Sequence, residues 1–241
     1  MKVGIIGLGF RLGYLGEIFK DIDPDFEIVG YVDPAPAGLP QLERAGVSPG
    51  RQYETPEALI AGEKFDLLMI GSPNHMHIDH IRIGLEAGPK VFSEKPIVMS
   101  IEESYELARL LAKHGHDRLL VGLVLRYSPL YRDLRAAQAA GLLGDVASIE
   151  ASEHIPPYHG AFFMRDWRRY SRYTGGFMLE KCCHDLDLYN GVMGARPRFV
   201  ASFGGRRSFT PANAPEAHGV NDLEVFHRKP SGWMGADKVF D

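Results

Sequence analysis

Residues 3–13 read VGIIGLGFRLG, an apolar run that passes directly into a glycine-rich turn. Gly7 would allow a tight turn at the end of a strand, and Gly9 would let the backbone approach a pyrophosphate at a helix N-terminus. The third glycine of the G-x-G-x-x-G pattern is missing, because Leu12 stands in its place and Gly13 follows one position later. The stretch predicts a strand, a phosphate-binding turn and a helix, in that order.

Short apolar runs alternate with helix signals over the first 125 residues. The runs cover residues 3–6, 28–32, 67–70, 91–92 and 119–124. They lack period-two alternation, which is typical of parallel strands buried on both faces. Ser100 and Glu103 predict a capping box at one helix start, and Gly115 a stop for that helix. We therefore predict a parallel, doubly wound α/β sheet in this part of the chain.

The pattern changes after about residue 125. Ser128-Pro129 predicts a helix that runs to Gly141. Residues 146–153 and 199–203 predict strands, and residues 177–193 predict a helix between them. Weaker strand signals follow at 223–227 and 239–240. We predict a second, α+β domain over residues 126–241, with an open, mainly antiparallel sheet that is truncated.

Composition excludes several classes of function. The 27 basic and 31 acidic residues give a formal charge of −4, which provides no electrostatic footprint for nucleic acid. There is no long uncharged apolar run and no signal-peptide pattern, so we expect no membrane segment and a cytoplasmic location. The two cysteines are adjacent in sequence, where a disulfide would be strained, so we expect free thiols.

An acidic residue ends the second apolar run. The carboxylate of Asp33 could accept hydrogen bonds from the ribose hydroxyls of an adenosine and would repel a 2′-phosphate. We therefore expect NAD as the cofactor, with NADP disfavoured. The cofactor-binding residues predicted in this part of the chain are Gly7, Gly9, Phe10, Arg11, Leu12 and Asp33.

Residues 180–188, EKCCHDLDL, combine charges with two thiols. On a continuous helix, His184 would lie about 40° and Asp187 about 20° from Glu180, so the three would share one polar stripe. The cysteines would fall on or beside the apolar side, as buried structural thiols. A zinc site is disfavoured, because neighbouring side chains diverge by about 100° on a helix and no second C-x-x-C pair exists. The stripe predicts the wall of a cleft.

Polar residues also follow two of the predicted parallel strands, where open α/β sheets bind ligands. Ser72-Pro73-Asn74 follows one strand and Glu94-Lys95-Pro96 the next. A lysine held there by a proline can place its ammonium beside a substrate oxygen. The Lys95–Pro96 bond is a candidate cis peptide.

These motifs resemble those of the Gfo/Idh/MocA oxidoreductases. The matching segments are Glu94-Lys95-Pro96, Ser72-Pro73-Asn74 with His77 and residues 84–88, Arg126-Tyr127-Ser128-Pro129, Arg165-Asp166-Trp167-Arg168, and Gly175-Gly176 with His184 and Asp187. Glu180 stands where the family more often has aspartate. The resemblance implies an N-terminal Rossmann domain over residues 1–125 and a C-terminal α/β domain, in a chain shorter than the family's usual members.

The resemblance also implies an activity. It is NAD(P)-dependent hydride transfer between nicotinamide and a secondary hydroxyl or ketone of a sugar, inositol or related polyol. Lys95 would polarise the oxygen, and His184 would act as general base or acid, since an imidazole titrates near pH 6.5. Glu180 and Asp187 complete the predicted catalytic group, with Glu180 touching the substrate or orienting His184. No metal is expected to take part. The resemblance also implies a homo-oligomer that forms through the C-terminal sheet.

Further residues receive roles from the same resemblance. Additional cofactor contacts are expected at Ser72, Pro73, Asn74, His77, Glu94 and Lys95. Substrate contacts are expected at Lys95, Arg126, Tyr127, Arg165, Trp167, Glu180 and His184, although Arg126, Tyr127, Arg165 and Trp167 fit structural roles between domains equally well.

Two other functions fit the same fold. One is a non-catalytic NAD(H)-binding regulator, which would not need both Lys95 and His184. The other is an NAD-dependent glycosidase, in which transient oxidation permits loss of a leaving group.

Overall fold

A six-stranded parallel sheet organises residues 1–123, the first of two compact units into which the chain divides. The computed structural model describes residues 1–163, 166–207 and 210. The strands are β1 (Lys2–Ile6), β2 (Glu27–Val32), β3 (Arg51–Tyr53), β4 (Leu67–Ile70), β5 (Lys90–Ser93) and β6 (Leu119–Val121). Their order is β3-β2-β1-β4-β5-β6, and every neighbouring pair is parallel. The doubly wound sheet predicted from the apolar runs is confirmed.

Helices connect the successive strands of this sheet. They are α1 (Phe10–Ile22), α2 (Leu39–Arg44), α3 (Pro56–Gly62), α4 (His77–Ala87) and α5 (Ile101–His114). The Ser100 hydroxyl accepts a hydrogen bond from the Glu103 amide at 3.2 Å, and the Glu103 carboxylate accepts one from the Met99 amide at 2.7 Å. The capping pair predicted for α5 is therefore present, with the return bond shifted one residue towards the N-terminus. Gly115 ends the helix at a φ of 106°.

Apolar side chains fill both faces of the sheet. Ile5 and Met69 belong to one hydrophobic cluster, whereas Ile6 and Leu68 belong to a second. Because successive residues of a strand point to opposite faces, the two clusters lie on opposite sides of the sheet. This double burial explains why the strands show continuous apolar runs instead of alternation.

Strand β3 was missed by the apolar pattern. It has only three residues, Arg-Gln-Tyr, and lies at one edge of the sheet beside β2. An edge strand pairs on one side only and needs no continuous apolar run. Its identity therefore depends on the neighbouring strand and not on its own composition.

The described part of the second unit, which begins at Val124, contains helices joined by segments without regular structure. Its helices are α6 (Pro129–Ala139), α7 (Pro157–Phe162), α8 (Gly176–Glu180) and α9 (Cys183–Met193). The Ser128 hydroxyl caps α6 by accepting from the Tyr131 amide at 3.4 Å, so the helix start predicted there is confirmed. Among the described residues, no helix has the length and apolarity needed to cross a membrane.

The two strands predicted in the second unit are not formed. Residues 146–153 and 199–203 have no regular structure, so the antiparallel sheet is not present among the described residues. A strand needs a hydrogen-bonded neighbour, and a lone pair of strands is marginal without further strands to join. The weaker signals at 223–227 and 239–240 lie outside the described residues.

Candidate functional site

The turn between β1 and α1 provides room for a phosphate. Gly7 has a φ of 84°, and a Cβ there would lie 2.3 Å from the backbone nitrogen of Ser72, so only glycine fits. Gly9 is the N-cap of α1, carries no capping side chain, and has nothing within 4 Å of where a Cβ would be. The amides of a 13-residue helix therefore begin beside open space, which suits the pyrophosphate of a dinucleotide.

The missing third glycine is replaced by glycines elsewhere. Leu12 is buried, and a Cβ on Gly71 would lie 2.7 Å from its Cγ, so the loop after β4 makes room for the leucine. Gly13 approaches Gly38, where its own Cβ would lie 2.7 Å from the carbonyl oxygen. Close packing of α1 on the sheet is thus preserved by glycines in the facing loops.

Asp33 lies in the loop that follows β2. Its carboxylate accepts a hydrogen bond from the Ala35 amide at 2.8 Å, and the Gln52 side chain donates to its backbone carbonyl at 2.9 Å. Burial, followed by the negative charge of Asp33, raises the pKa of Tyr31. The aspartate is therefore held in a defined position at the carboxyl end of its strand.

The loops after β4 and β5 are joined by a buried histidine. His77 Nδ1 lies 2.8 Å from the carbonyl oxygen of Pro96, and Nε2 lies 2.8 Å from that of Ser72. Burial lowers the pKa of His77. The Ser72 hydroxyl lies 2.9 Å from His80 Nδ1. Both ring nitrogens of His77 therefore face groups within the protein, and any direct contact with a cofactor would have to replace one of them.

Lys95 is half-buried at the carboxyl end of β5. The Lys95–Pro96 peptide bond is cis, as the sequence predicted. Glu94, 9% exposed, accepts a hydrogen bond from Arg11 Nε at 3.0 Å. Because β1, β4 and β5 are adjacent and parallel, their carboxyl ends meet at one edge of the sheet. The phosphate turn and Lys95 therefore share that edge.

The helix predicted over residues 177–193 is interrupted. It divides into α8 and α9 at Lys181 and Cys182, where the His184 amide donates to the Lys181 carbonyl at 3.3 Å. The buried ammonium of Lys181 reaches Glu153 at 2.5 Å and Asp185 at 3.4 Å. A lone buried ammonium would be costly, and these two carboxylates provide its charge partners. The single continuous helix expected over these residues is therefore wrong.

Two of the predicted catalytic residues are nevertheless buried in the second unit. Glu180 is 4% exposed and His184 is 8% exposed. The carboxylate of Asp187 accepts two hydrogen bonds from the Arg126 guanidinium, at 2.6 and 2.5 Å. Arg126 and Asp187 line a cleft of about 660 Å³ in this unit. Arg126, a predicted substrate contact, is therefore hydrogen-bonded to Asp187, a predicted catalytic residue.

The remaining predicted site residues of the second unit have different surroundings. Tyr127 is exposed, and Trp167 is half-buried with the Arg168 guanidinium 4.4 Å from its ring centre. Arg165 lies outside the described residues. Within the described ranges, no cluster of three or more histidine, cysteine or acidic residues could hold a metal ion.

Neither cysteine forms a disulfide, and both are half-buried. Burial raises the pKa of the Cys182 thiol, which disfavours the thiolate that a nucleophile requires. The apolar side expected for this segment is not buried, because Leu186 and Met193 are exposed.

Sequence reasoning missed the group formed by Lys181, Glu153 and Asp185. Burial raises the pKa of Asp185, whereas hydrogen bonds from Asp185 and Lys181 lower the pKa of Glu153. The i, i+4 spacing of Lys181 and Asp185 was visible in the sequence. Nothing in the sequence indicated Glu153, because it lies in a segment that was predicted to be a strand.

Comparison with known proteins places both units in one family. Residues 1–123 match the model of an oxidoreductase family with an NAD-binding Rossmann fold, and residues 138–225 match the C-terminal α/β domain of that family. The predicted fold class and cofactor are thereby confirmed.

Several relatives act on sugars or inositols. The chain is 26% identical to the scyllo-inositol 2-dehydrogenase (NAD(+)) of Bacillus subtilis, covering 85% of this chain and 57% of the relative. It is 26% identical to the 2,7-anhydro-N-acetylneuraminate hydratase of Mediterraneibacter gnavus, covering 92% and 56%. A solved scyllo-inositol dehydrogenase from Lactobacillus casei, with bound NAD(H) and scyllo-inositol, is 27% identical with a TM-score of 0.64, covering 80% and 56%.

The chain therefore spans little more than half the length of these proteins. The matches to both domain models extend over most of it. The chain belongs to the Gfo/Idh/MocA family of oxidoreductases.

Proposed function

We propose that the protein is an NAD-dependent dehydrogenase that oxidises a secondary hydroxyl of a sugar, inositol or related polyol, or reduces the matching ketone. The observation that carries this proposal is the edge of the first unit's sheet. There, the N-terminus of α1, which has no capping side chain and faces open space, and Lys95 both lie at the carboxyl ends of the strands. The relatives named for inositol dehydrogenation support the substrate class.

The first unit would hold the cofactor. The amides at the start of α1 would bind the pyrophosphate, with Gly9 leaving the space for it. Asp33 would accept hydrogen bonds from the adenosine ribose and disfavour the 2′-phosphate of NADP. When bound, NAD supplies the acceptor for the hydride. Ser72, Pro73, Asn74 and the Glu94–Lys95 segment lie at the same edge as this turn.

In this proposal Lys95 would stabilise charge on the substrate oxygen, and His184 would transfer the proton. The Lys95 ammonium would donate a hydrogen bond to the substrate oxygen and stabilise negative charge that develops on it. A ring nitrogen of His184 would accept the hydroxyl proton during oxidation and return it during reduction. Glu180, which is buried in the same unit, would favour the imidazolium that results. Asp187 is better suited to a supporting role, because Arg126 already neutralises its carboxylate.

The test is NAD reduction by the full chain over a panel of inositols, polyols and sugars. We expect Lys95→Ala and His184→Ala to lower turnover about 100-fold or more while NADH binding, followed by its fluorescence, persists. Lys90→Ala and His116→Ala provide matched controls, because both side chains are exposed. Undiminished turnover in His184→Ala would sink the general-base role. If the wild-type chain binds NADH but none of the tested compounds supports NAD reduction, the result would favour the non-catalytic regulator.

A second candidate is elimination or hydration that begins with transient oxidation. The resemblance to a hydratase over 92% of this chain favours it. Such an enzyme would convert substrate with catalytic NAD and without net NADH formation. Product analysis at a tenfold deficit of NAD separates the two, because a dehydrogenase would stop when the cofactor is consumed. Association through the C-terminal sheet and a cytoplasmic location stay predictions.

A further inference from the structure

Glu94 is held in an enclosed position immediately before Lys95. Its amide donates to the Ile70 carbonyl at 2.9 Å, and its carboxylate lies beside Gly122, where a Cβ would come within 3.0 Å of Oε2. Gly122 in turn donates its amide to the Ser93 carbonyl at 2.8 Å. A Cβ at position 122 would therefore press on the carboxylate and require it to shift by a few tenths of an ångström.

A carboxylate in this setting requires a cationic partner, and Arg11 provides it. Arg11 lies in the first turn of α1, and its Nε donates to Glu94 Oε1 at 3.0 Å. The Glu94 side chain is 12% exposed, whereas that of Arg11 is 40% exposed. A pair that is largely shielded on one side is less screened by solvent than a surface ion pair. Its removal would leave a nearly buried carboxylate without its cation.

The ion pair connects the proposed cofactor-binding turn to the segment that carries Lys95. Arg11 belongs to the helix turn that would receive the pyrophosphate, and Glu94 is the residue before Lys95. On the other side of Lys95, the Pro96 carbonyl is held by His77. The segment is therefore anchored on both sides of the lysine, and one anchor belongs to the cofactor helix.

We propose that Arg11 is a positioning residue that fixes Lys95 by holding Glu94. This inference rests on the proposed function of Lys95. The guanidinium acts on Glu94, not on the substrate, so that the helix that binds the cofactor also sets the place of the ammonium. A planar guanidinium with one N–H bound to Glu94 keeps a fixed orientation that a lysine at position 11 would reproduce only in part.

The test compares Arg11→Gln with a matched ion pair elsewhere. Arg82 also pairs with a glutamate, Glu106, and its side chain is 35% exposed, but it connects α4 to α5 away from the strand ends. We expect Arg11→Gln to lower kcat about 10- to 100-fold, because small misplacements of a reacting group have effects of that size. Arg11→Lys should recover part of the loss. Arg82→Gln should leave kcat unchanged.

A readout in the cofactor-free chain makes the test independent of turnover. Acylation of individual lysines by an amine reagent, followed by mass spectrometry, reports the surroundings of Lys95. Arg11→Gln should change the acylation rate of Lys95 at least threefold while exposed Lys90, on the same strand, keeps its rate. If Arg11→Gln does not fold, Gly122→Ala perturbs the Glu94 carboxylate without removing a charge and should alter the Lys95 rate in the same way.

The outcomes separate this inference from the proposed function. Unchanged kcat and unchanged Lys95 acylation in Arg11→Gln would overturn the positioning role. A variant in which only the Kd for NADH rises would overturn it as well. Undiminished turnover in Lys95→Ala would overturn the proposed function, whatever Arg11 does to acylation. Additive losses in the Arg11→Gln/Lys95→Ala double variant would show that Arg11 acts by another route.

Discussion

The two units of this protein bury different kinds of residue. In the first unit the fully buried side chains are mainly aliphatic, as at Leu68, and they cover both faces of a sheet. In the described part of the second unit Glu180 and Lys181 are buried, whereas Leu186 is 50% exposed. The first unit is therefore held mainly by apolar area, whereas the described part of the second depends more on paired charges.

This difference follows from what each unit can assemble. A parallel sheet with helices on both sides buries its central strands, so apolar burial supplies most of its stability. The helices of the second unit have no strands beside them among the described residues. There, the buried ion pairs of Lys181 with Glu153 and Asp185 supply part of the stabilisation that an apolar core gives the first unit. Four predictions test this contrast.

The largest expected effect comes from truncating a leucine in each unit. Leu68→Ala should lower the free energy of unfolding of the first unit by about 3 kcal/mol, because Leu68 is fully buried. Leu186→Ala should change that of the second by less than about 0.5 kcal/mol. Hydrogen exchange resolved by peptide measures each unit separately. Equal losses in the two variants would contradict the contrast.

The next effect depends on pH and concerns the first unit. Burial lowers the pKa of His80 to about 4, below the ordinary value of 6.5. The folded state therefore favours neutral His80, and its contribution is complete above about pH 6.5 and lost as the pH falls towards 4. The loss should be about 3 kcal/mol, from 1.36 kcal/mol per pH unit.

Urea denaturation between pH 7 and pH 4 measures this loss. His80→Gln should show a flatter dependence than the wild type, whereas the exposed His116→Gln should retain the full slope. Identical slopes in the wild type and His80→Gln would rule out His80 as the source.

A smaller effect is expected for the charged group of the second unit. Lys181→Met keeps the length of the side chain and removes the charge, so the second unit should lose about 1–2 kcal/mol near neutral pH, limited by the exposure of Glu153. Interaction with Lys181 and Asp185 lowers the pKa of Glu153, so its contribution is present near neutral pH and disappears as the pH falls.

The penalty of Lys181→Met should therefore shrink on acidification. Tryptophan fluorescence has no contribution from the first unit, because both tryptophans of the chain, Trp167 and Trp233, lie after residue 123. Lys113→Met, at an exposed lysine of α5, is the control. A penalty that grows at low pH would argue against the ion pair.

The smallest effect compares two helix caps. Ser100 and Ser128 each accept a hydrogen bond from an amide of the first helical turn, in the first and second unit respectively. Replacing either by alanine should lower stability by about 1 kcal/mol, because a cap is a local interaction. Hydrogen exchange at α5 and α6 checks both. A cap effect confined to the first unit would show that α6 contributes little to its own unit.

Much of the first unit could be predicted from sequence because its signals are local. The apolar runs located five of the six strands, and Gly7 and Gly9 located the turn between β1 and α1. Strand β3 escaped because edge strands need no apolar run. The contact of Arg11 with Glu94 also escaped, since it joins residues 83 positions apart.

The second unit was less predictable because its segments depend on partners. Residues 146–153 and 199–203 were predicted to be strands, yet no neighbouring strand is present among the described residues to pair with them. Helical spacing placed Glu180, His184 and Asp187 on one stripe. The break at Lys181 and Cys182 instead places Glu180 at the end of α8 and the other two in α9.

The sequence by itself determined the order of strands and helices in the first unit, the phosphate turn, the caps and the residues that resemble the family's site. These features depend on neighbours within a few positions, and local physics specifies them. Only the tertiary structure decided that Arg11 meets Glu94, that His77 joins two loops, and that Lys181 pairs with Glu153. Such contacts form where distant segments are brought together, so burial and charge pairing, and not spacing, select them.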